Sequence, residues 1–591
     1  MKEITTDILV LGSGGAGLLA ALHAKQAAPD LSVTIAVKGL LGKCGCTRMV
    51  QGGYNVALAP TDSTERHFMD TLNGGKWLNN QDVAWTLVEQ AQVRIRELEN
   101  VYGCFFDRNA DGTVHQKAFA GQTFDRTVHR GDLTGIEIIS RLAEQTWATG
   151  VDRLEEHRAV ALIRNESGDA LAGVLMIDIR SGEYVFCRAR AVMLGTGGGP
   201  TMYKYHTPSG DKSCDGLAMA LAAGLALRDM EMVQFHPTGL LAGEHTRMTG
   251  TVLEEGLRGA GGYLFNGDGE RFMERYDERG ERATRDIVSR GIFSEIQAGR
   301  ATPNGGAYIY MAHLGPDKVR AQFKGMVKRC ADCGFDLAGE RVEVIPTAHY
   351  MMGGVVFDER CFTSLPGLFV AGEDAGGVHG ANRLGGNGVA NSTVFGGIAG
   401  DTMAAWVDRA APLAEPSQAE LEAAVAHCER PFQHSSESLQ PIREALYDLM
   451  WEKVGIAREE TAMHAALDEL DVLAGRLRGV GVDASSRAYN VTWHDWLNLA
   501  SLITVSRAIT EAALARRESR GAHFRSDFPE MDEDQAKTFT VVRAEGERLV
   551  AGREPVQYTR LMPGESLLVE DATADEPMPL ADAPGPGTST A

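Results

Sequence analysis

The sequence predicts an α/β protein that closes in a helical region, and three stretches predict it. Residues 7–17, Asp-Ile-Leu-Val-Leu-Gly-Ser-Gly-Gly-Ala-Gly, read as a strand, a tight glycine turn and the start of an Ala- and Leu-rich helix. Residues 159–194 alternate apolar and polar in short runs broken at Glu166–Asp169 and Ser181–Gly182, the pattern of a small antiparallel meander. From 414 to 530, aliphatic and charged residues recur at helical spacing, as in Ile442-Arg-Glu-Ala-Leu and Trp496-Leu-Asn-Leu-Ala-Ser-Leu, which predicts a packed helical bundle. A chain of 591 residues is too long for one core, and about 150 residues per domain suggests three or four units.

In the first stretch Gly12 permits the turn, Gly14 lets backbone amides approach a pyrophosphate, and Gly17 lets helix and strand pack closely. The helix N-terminus then faces the negative charge of a dinucleotide. A second strand, Ser32 to Val37, follows as a Rossmann-like unit requires. The acid that grips a ribose hydroxyl in that unit, about 20 residues after the glycines, is missing. Val37-Lys38 stands there, so the first ribose is held another way.

Next comes Cys44-Gly-Cys46-Thr47-Arg-Met-Val-Gln51-Gly52-Gly53, a polar loop placed to run along the cofactor. The segment 119–135 brings Arg126, His129 and Arg130 before a helix-like stretch, Ile136 to Thr149; these Arg and His residues read equally as site residues or as caps and surface. The meander ends in Leu194-Gly195-Thr196-Gly197-Gly198-Gly199, a buried strand running into glycines. Two such backbone approaches in one chain favour FAD over a nicotinamide. Gln234 and His236 lead into a stretch, 251–300, crowded with Glu254, Glu255, Arg258, Arg271, Arg282, Arg285 and Arg290. Pro346-Thr-Ala-His349 precedes a strand ending in Gly372-Glu373-Asp374, an acid placed beside glycines for a ribityl or ribose hydroxyl. After His379 and Arg383, residues 388–400 start a helix whose amides can face a reduced flavin ring. The polar loop 517–529 has a composition that structure alone would not require, and the last two dozen residues, rich in Pro, Ala and Asp, are expected to be disordered.

Net charge is −22, from 58 basic and 80 acidic residues, which opposes nonspecific binding to nucleic acid or an anionic membrane. An anionic substrate would need a local positive pocket. No leader pattern and no apolar run of about 18 residues is present, so a cytoplasmic protein is expected, peripheral to a membrane only through a partner. The nine cysteines are scattered, which argues against disulfides and against a resident iron–sulfur cluster. Cys330-Ala-Asp-Cys333 lacks a second pair, so no metal is expected.

Taken in order, GSGGAG at 12–17, QGG at 51–53, TGGG at 196–199, DMEMVQFHPTG at 229–239, EGLRGAGGYLFN at 255–266, RDIVSR at 285–290, PTAHYMMGG at 346–354, GLFVAGE at 367–373, HGANRLGGN at 379–387 and ESRGAHFRSDFP at 518–529 make the chain resemble the succinate dehydrogenase and fumarate reductase flavoprotein family, which includes L-aspartate oxidase. The likeness spans roughly residues 5–530. It implies a Rossmann-like FAD-binding domain in two segments (1–239 and 346–405), an inserted capping domain (240–345), a C-terminal helical domain (406–530) and an extension (531–591). It implies that His236, His349 and Arg383 bind substrate carboxylates and that Arg285 passes the proton, with Glu255 in the same catalytic group. FAD would meet Gly12, Gly14, Gly15, Ala16, Gly17, Lys38, Cys46, Thr47, Gln51, Gly52, Gly53, Thr196, Gly197, Gly198, Asp215, Glu373, Arg383, Asn387, Gly388 and Val389. An arginine acting as an acid needs a relay or a strongly lowered proton affinity.

Three departures stand out. Cys46 occupies the place of the family's FAD-linked histidine, so noncovalent FAD is expected, a cysteinyl bond being chemically conceivable. Glu254 replaces a threonine that meets a substrate carboxylate; it is expected to point away, to stay protonated, or to face a substrate carrying an amino or neutral polar group as a specificity group, or else to pair with a cap arginine such as Arg258. The segment between His236 and Glu254 is longer, which would bring His245 and Arg247 near the pocket. The leading expectation is an oxidoreductase that interconverts a saturated and an unsaturated small carboxylic acid, with electrons delivered through a separate iron–sulfur chain. An amino-acid oxidase like L-aspartate oxidase is the alternative, and a flavin-binding subunit without turnover the third. The retained His236, Arg285, His349 and Arg383 argue against the last.

Overall fold

The computed structural model describes residues 1–243, 246, 248–409, 412–483, 485–546 and 548–568. Among them the largest sheet has seven strands and begins as expected. Lys2–Leu11 lies parallel to Val33–Val37 on one side and to Glu183–Leu194 on the other, with Ile8 opposite Val33 and Ala191. Strands this apolar, such as Ile8 to Leu11, belong in the middle of a parallel sheet covered on both faces. Asp152–Glu155 extends the sheet at one edge, and Leu368–Val370 pairs parallel with Glu183–Leu194. The alternating stretch after residue 157 forms the meander: His157–Arg164 and Leu171–Asp178 run antiparallel, and Leu171–Asp178 pairs antiparallel with Glu183–Leu194.

The helix Gly15–Ala27 is buried from Gly15 to Ala24 because a second helix, Asn387–Asp408, crosses it. Glycines permit the approach: a Cβ at Gly396 would stand 2.5 Å from the Ala16 carbonyl oxygen, and one at Gly400 2.3 Å from that of Ala20. Two segments nearly 400 residues apart are thereby locked around one turn.

Val233–Leu240 and Arg341–Met351 pair antiparallel and lead out into a four-stranded sheet with Ala307–Tyr310 and Tyr263–Phe265. That sheet has its own core, including Leu253, Phe272, Ile292, Ile309 and Val344. The helices Gln418–Glu429, Gln440–Lys453, Glu460–Gly479 and Val491–Ala515 join the main core. The buried Trp493 and Trp496 indoles donate to the carbonyls of Cys428 and Leu477, both at 2.8 Å.

Two sequence readings change. The loop 517–529 is a structural clamp: Arg516 binds Glu231 at 2.6 Å and Glu518 at 2.9 Å, Arg525 binds Asp527 at 2.6 Å, and His523 Nδ1 accepts from Arg458 at 2.7 Å. All these arginines are buried, so each needs its carboxylate and carbonyl partners to stay ionised. The stretch after 530 is also more than an extension, since Thr538–Glu545 and Arg548–Pro555 form a hairpin that pairs with Leu227–Arg228. The expected disordered end, from 569, lies outside the described residues.

Candidate active site

A cavity of about 770 Å³ opens at the carboxyl ends of the parallel strands, where Leu11, Val37, Gly195 and Ala371 form its rim. Gly12 has φ +104°, and a Cβ there would lie 2.2 Å from the Gly195 carbonyl oxygen, so only glycine fits. Gly14, Gly15 and Ala16 face the cavity at the start of the helix, and the Gly15 amide donates to Thr47 Oγ1 at 3.2 Å. Gly17 packs beneath instead: its Cβ would meet the Gly12 carbonyl at 1.9 Å.

The missing ribose acid has a substitute from elsewhere in the chain. Asp215 lines the cavity, held by Lys38 Nζ at 2.9 Å and by Arg158 Nη2 at 2.8 Å. Burial alone would raise its pKa, but the two cations outweigh burial and hold it well below the ordinary value. Lys38 is thus spent on Asp215 and on Ser213, at 3.0 Å. Thr196 and Gly197 are fixed by Asp374, which accepts from both at 3.0 Å. Glu373 faces the cavity while its Oε1 accepts from the amides of Met351 and Gly199; burial lifts its pKa to about 7. Lys212 also faces the cavity and donates to the Thr196 carbonyl at 2.8 Å. Gln51, Gly52, Gly53, Gly388 and Val389 line the wall, but Gly198 packs on Met351 and Asn387 is buried against Asn55 and His67, so neither faces the cavity. The glycine cradle, the helix N-terminus and the ionised Asp215 fit an adenine dinucleotide. Cys46 borders the same space as a neutral thiol, its pKa pushed to about 12 by burial and then by Glu373.

At the other end four elements converge. His236 comes from Val233–Leu240 and His349 from its partner strand, their rings 5.4 Å apart at the centroids. Arg285 opens the helix Arg285–Gln297, and Arg383 lies on the loop before Asn387–Asp408. Glu255 Oε2 accepts from Arg285 Nε at 2.8 Å and from its Nη2 at 2.6 Å, while Arg258 Nη2 lies 3.6 Å from Glu255 Oε1. Burial favours the neutral acid, but Arg285 and Arg258 together hold Glu255 below the ordinary carboxylate range. Both histidines are held far below their ordinary pKa by burial and then by Arg285, so they are neutral at pH 7. Arg383 is lowered to about 10 by burial and by Arg285, and its guanidinium lies 4.3 Å from the centre of the Tyr350 ring.

Of the crowded charges from 251 to 300, Glu254, Glu255 and Arg285 line the cavity. Arg271 is paired with Glu281 at 2.7 Å, and Arg258, the expected partner of Glu254, instead donates to the Glu281 carbonyl at 2.6 Å beside Glu255. Glu254 faces Lys117, with Oε2 to Nζ at 3.6 Å. Of the candidates before residue 135, Arg126 is sequestered by Asp62 and Asp70 and both His129 and Arg130 by Asp107, so none of the three lines the cavity; Asp132, which was not among them, does. His245 and Arg247 lie outside the described residues.

Gln234 escaped the sequence reading as a site residue. Its Oε1 accepts from Arg285 Nη1 at 3.0 Å and Arg383 Nη2 at 3.1 Å, and its Nε2 donates to Asn382 and the Arg383 carbonyl. The signal was its place two residues before His236, on the same face of an extended strand. Thr207, bound to His349 Nδ1 at 2.7 Å, carried no signal, because only the fold brings it there.

Known proteins agree with this architecture. Residues 7–389 match the FAD binding domain family, and 443–567 match the fumarate reductase flavoprotein C-terminal family. A fumarate reductase (CoM/CoB) chain from Methanothermobacter marburgensis is 40% identical over 531 residues, 89% of this chain and 94% of that one. The Escherichia coli fumarate reductase flavoprotein subunit is 34% identical over 550 residues, 89% of each chain. A solved E. coli quinol fumarate reductase variant superposes with a TM-score of 0.90 at 31% identity, over 96% of this chain and 99% of that one. Among the described residues no helix is long and apolar enough to cross a membrane. With its dinucleotide cradle, buried arginine and histidine cluster and these matches over most of its length, the chain belongs to the succinate dehydrogenase and fumarate reductase flavoprotein family and is an FAD-dependent oxidoreductase.

Proposed function

We propose that the cavity interconverts a saturated and an unsaturated small carboxylic acid, and that Arg285 moves the proton. The observation behind this reading is the buried row Arg285, Glu255, Arg258, whose first member faces the cavity. A guanidinium alone is a poor acid because its proton is held too tightly. A carboxylate two hydrogen bonds deep against Arg285 can accept and return a proton, and Arg258 on its other oxygen keeps it ionised between turnovers.

Bound FAD supplies the two-electron chemistry, giving or taking a hydride. Arg383 holds a carboxylate of the acid through its planar fork, backed by the Tyr350 ring. His236 and His349 stay neutral and orient the same group by hydrogen bonds. Gln234 spaces the two arginines by accepting one hydrogen bond from each, so that one binds while the other transfers. Arg285 gives its proton to the substrate carbon during reduction and recovers one through Glu255. Cys46, half-buried as a neutral thiol, supports FAD held without a covalent bond. Electrons reach the flavin through a separate iron–sulfur chain, a reading supported as far as a partner chain goes by relatives that are themselves named as subunits.

The test is anaerobic reoxidation of the chemically reduced flavoprotein. A small unsaturated carboxylic acid should restore the oxidised flavin spectrum and yield the saturated acid. Restoration only by oxygen, with a 2-amino acid as the sole reductant, would instead establish the amino-acid oxidase reading.

A further inference from the structure

The proposed reaction makes no use of one buried carboxylate that faces the cavity. Glu254 is 6% exposed, lines the cavity, and has no hydrogen-bond partner on Oε2 among the described residues. Its nearest cation, Lys117 Nζ, stands at 3.6 Å, beyond hydrogen-bond distance, and leans over the Phe119 ring at 5.6 Å. A buried acceptor left empty in this way is costly unless a ligand supplies the donor. Glu254 and Glu255 are consecutive and both face the cavity, so one small molecule can reach from Arg285 to Glu254.

Charge separates the two ends. Around the proton-transfer row stand Arg258, Arg285 and Arg383 with Glu255 between the first two; Glu281 near Arg258 is already paired with Arg271, Glu373 near Arg383 is lifted to about 7 by burial, and both histidines are neutral. That end attracts an anion. Around Glu254, burial foremost and then Asp132 raise its pKa above the ordinary carboxylate value while Lys117 and Arg329 oppose them, and Arg329 is already drawn to the Val252 carbonyl at 2.5 Å. This end is balanced and offers no surplus charge for a second carboxylate.

We infer that Glu254 is the specificity group of the cavity and accepts a hydrogen bond from a neutral or cationic donor, an amide, hydroxyl or amine, at the end of the acid remote from the carboxylate held by Arg383. The inference rests on the reading above. The substrate class becomes a monocarboxylic unsaturated acid with a polar donor terminus, and a dicarboxylate is disfavoured by like charge at Glu254.

The experiment compares fumarate with its monoamide as oxidants of the chemically reduced flavoprotein, in the wild type, E254T and E254Q, alongside thermal melts. The wild type should favour the monoamide by at least tenfold in kcat/KM. E254T should move that preference toward fumarate by about tenfold to a hundredfold, mostly through KM, with the melting temperature nearly unchanged. Equal use of both acids by the wild type, or preference for fumarate, overturns the inference even if the variants fail to fold. So does a fumarate KM in the wild type that rises with pH while E254Q keeps the low-pH value, because Glu254 would then be a protonated donor to a carboxylate. Reoxidation by neither acid in any form refutes the underlying reaction and the inference with it, a result distinct from reoxidation without discrimination.

Discussion

Glu255→Gln isolates the relay from the binding of substrate. The carboxylate receives two charged hydrogen bonds from Arg285, at 2.8 and 2.6 Å on one oxygen, and faces Arg258 at 3.6 Å on the other. Glutamine keeps the shape and one acceptor oxygen, which the two Arg285 contacts will claim. The amide nitrogen then meets Arg258, donor against donor. Each Arg285 bond falls from the range of charged hydrogen bonds, about 1.5–3 kcal/mol, toward about 1 kcal/mol, so a stability loss of about 2 kcal/mol is expected, which a chain with this core tolerates. The rate effect is larger. Without a group that accepts and returns a proton, Arg285 loses its resupply, and kcat should fall about 10²–10⁴-fold while KM changes little, because Arg383 and the histidines are untouched. Stopped-flow reoxidation of the reduced flavin by the acid, in H₂O and D₂O, reads the step directly. A variant that melts as a folded protein and retains kcat within tenfold of the wild type, or one whose loss falls wholly in KM, would refute the relay.

Four further outcomes follow from the same geometry. Arg383→Lys should raise KM chiefly, since a point charge replaces a fork, whereas Arg285→Lys should lower kcat chiefly; equal effects of both on KM and kcat would erase the division of labour. Denaturation in acid should release all the flavin colour from the chain, because Cys46 is a neutral, half-buried thiol, and fluorescence left on the precipitated polypeptide would contradict it. With Arg383 lowered to about 10, substrate binding should hold through neutral pH and weaken as pH climbs through that value; a KM flat to pH 11 would count against Arg383 as the carboxylate clamp. Asp215 has a folded pKa held below its ordinary 3.8, so its ion pairs stabilise the protein above that value and are lost as pH falls below it. Asp215→Asn should therefore lower the melting temperature at pH 7, and the difference should persist at pH 3 and shrink only in stronger acid, as pH falls toward the depressed folded pKa, with a parallel loss of FAD affinity.

Sequence alone determined whatever depends on local chemistry. Gly12, Gly14 and Gly17 announce a strand–turn–helix because turn, ligand and helix each need a missing side chain, and the clash distances at Gly12 and Gly17 bear this out. The runs from 159 to 194 form the expected meander through antiparallel pairing, although the middle strand, Leu171–Asp178, is buried on both faces rather than alternating. The ordered motifs around His236, Glu255, Arg285, His349 and Arg383 carried the family and most of the cavity wall, because side chains that must converge on one ligand leave a fixed signature in their neighbours. Tertiary structure decided what depends on distant partners. Lys38 lines the cavity, but only the fold shows that its ammonium also binds Asp215, 177 residues away. Arg258 looked like a partner for Glu254 until the fold set it beside Glu255 and turned Glu254 toward Lys117. The loop 517–529 read as functional because buried arginines and surface arginines are spelled alike; only the packing of Glu231 and Glu518 against Arg516 shows that the charges hold the helical region to the rest of the fold. Composition states which charges a chain owns, but the Coulomb energy of each depends on distance and burial, and those exist only once the chain has folded.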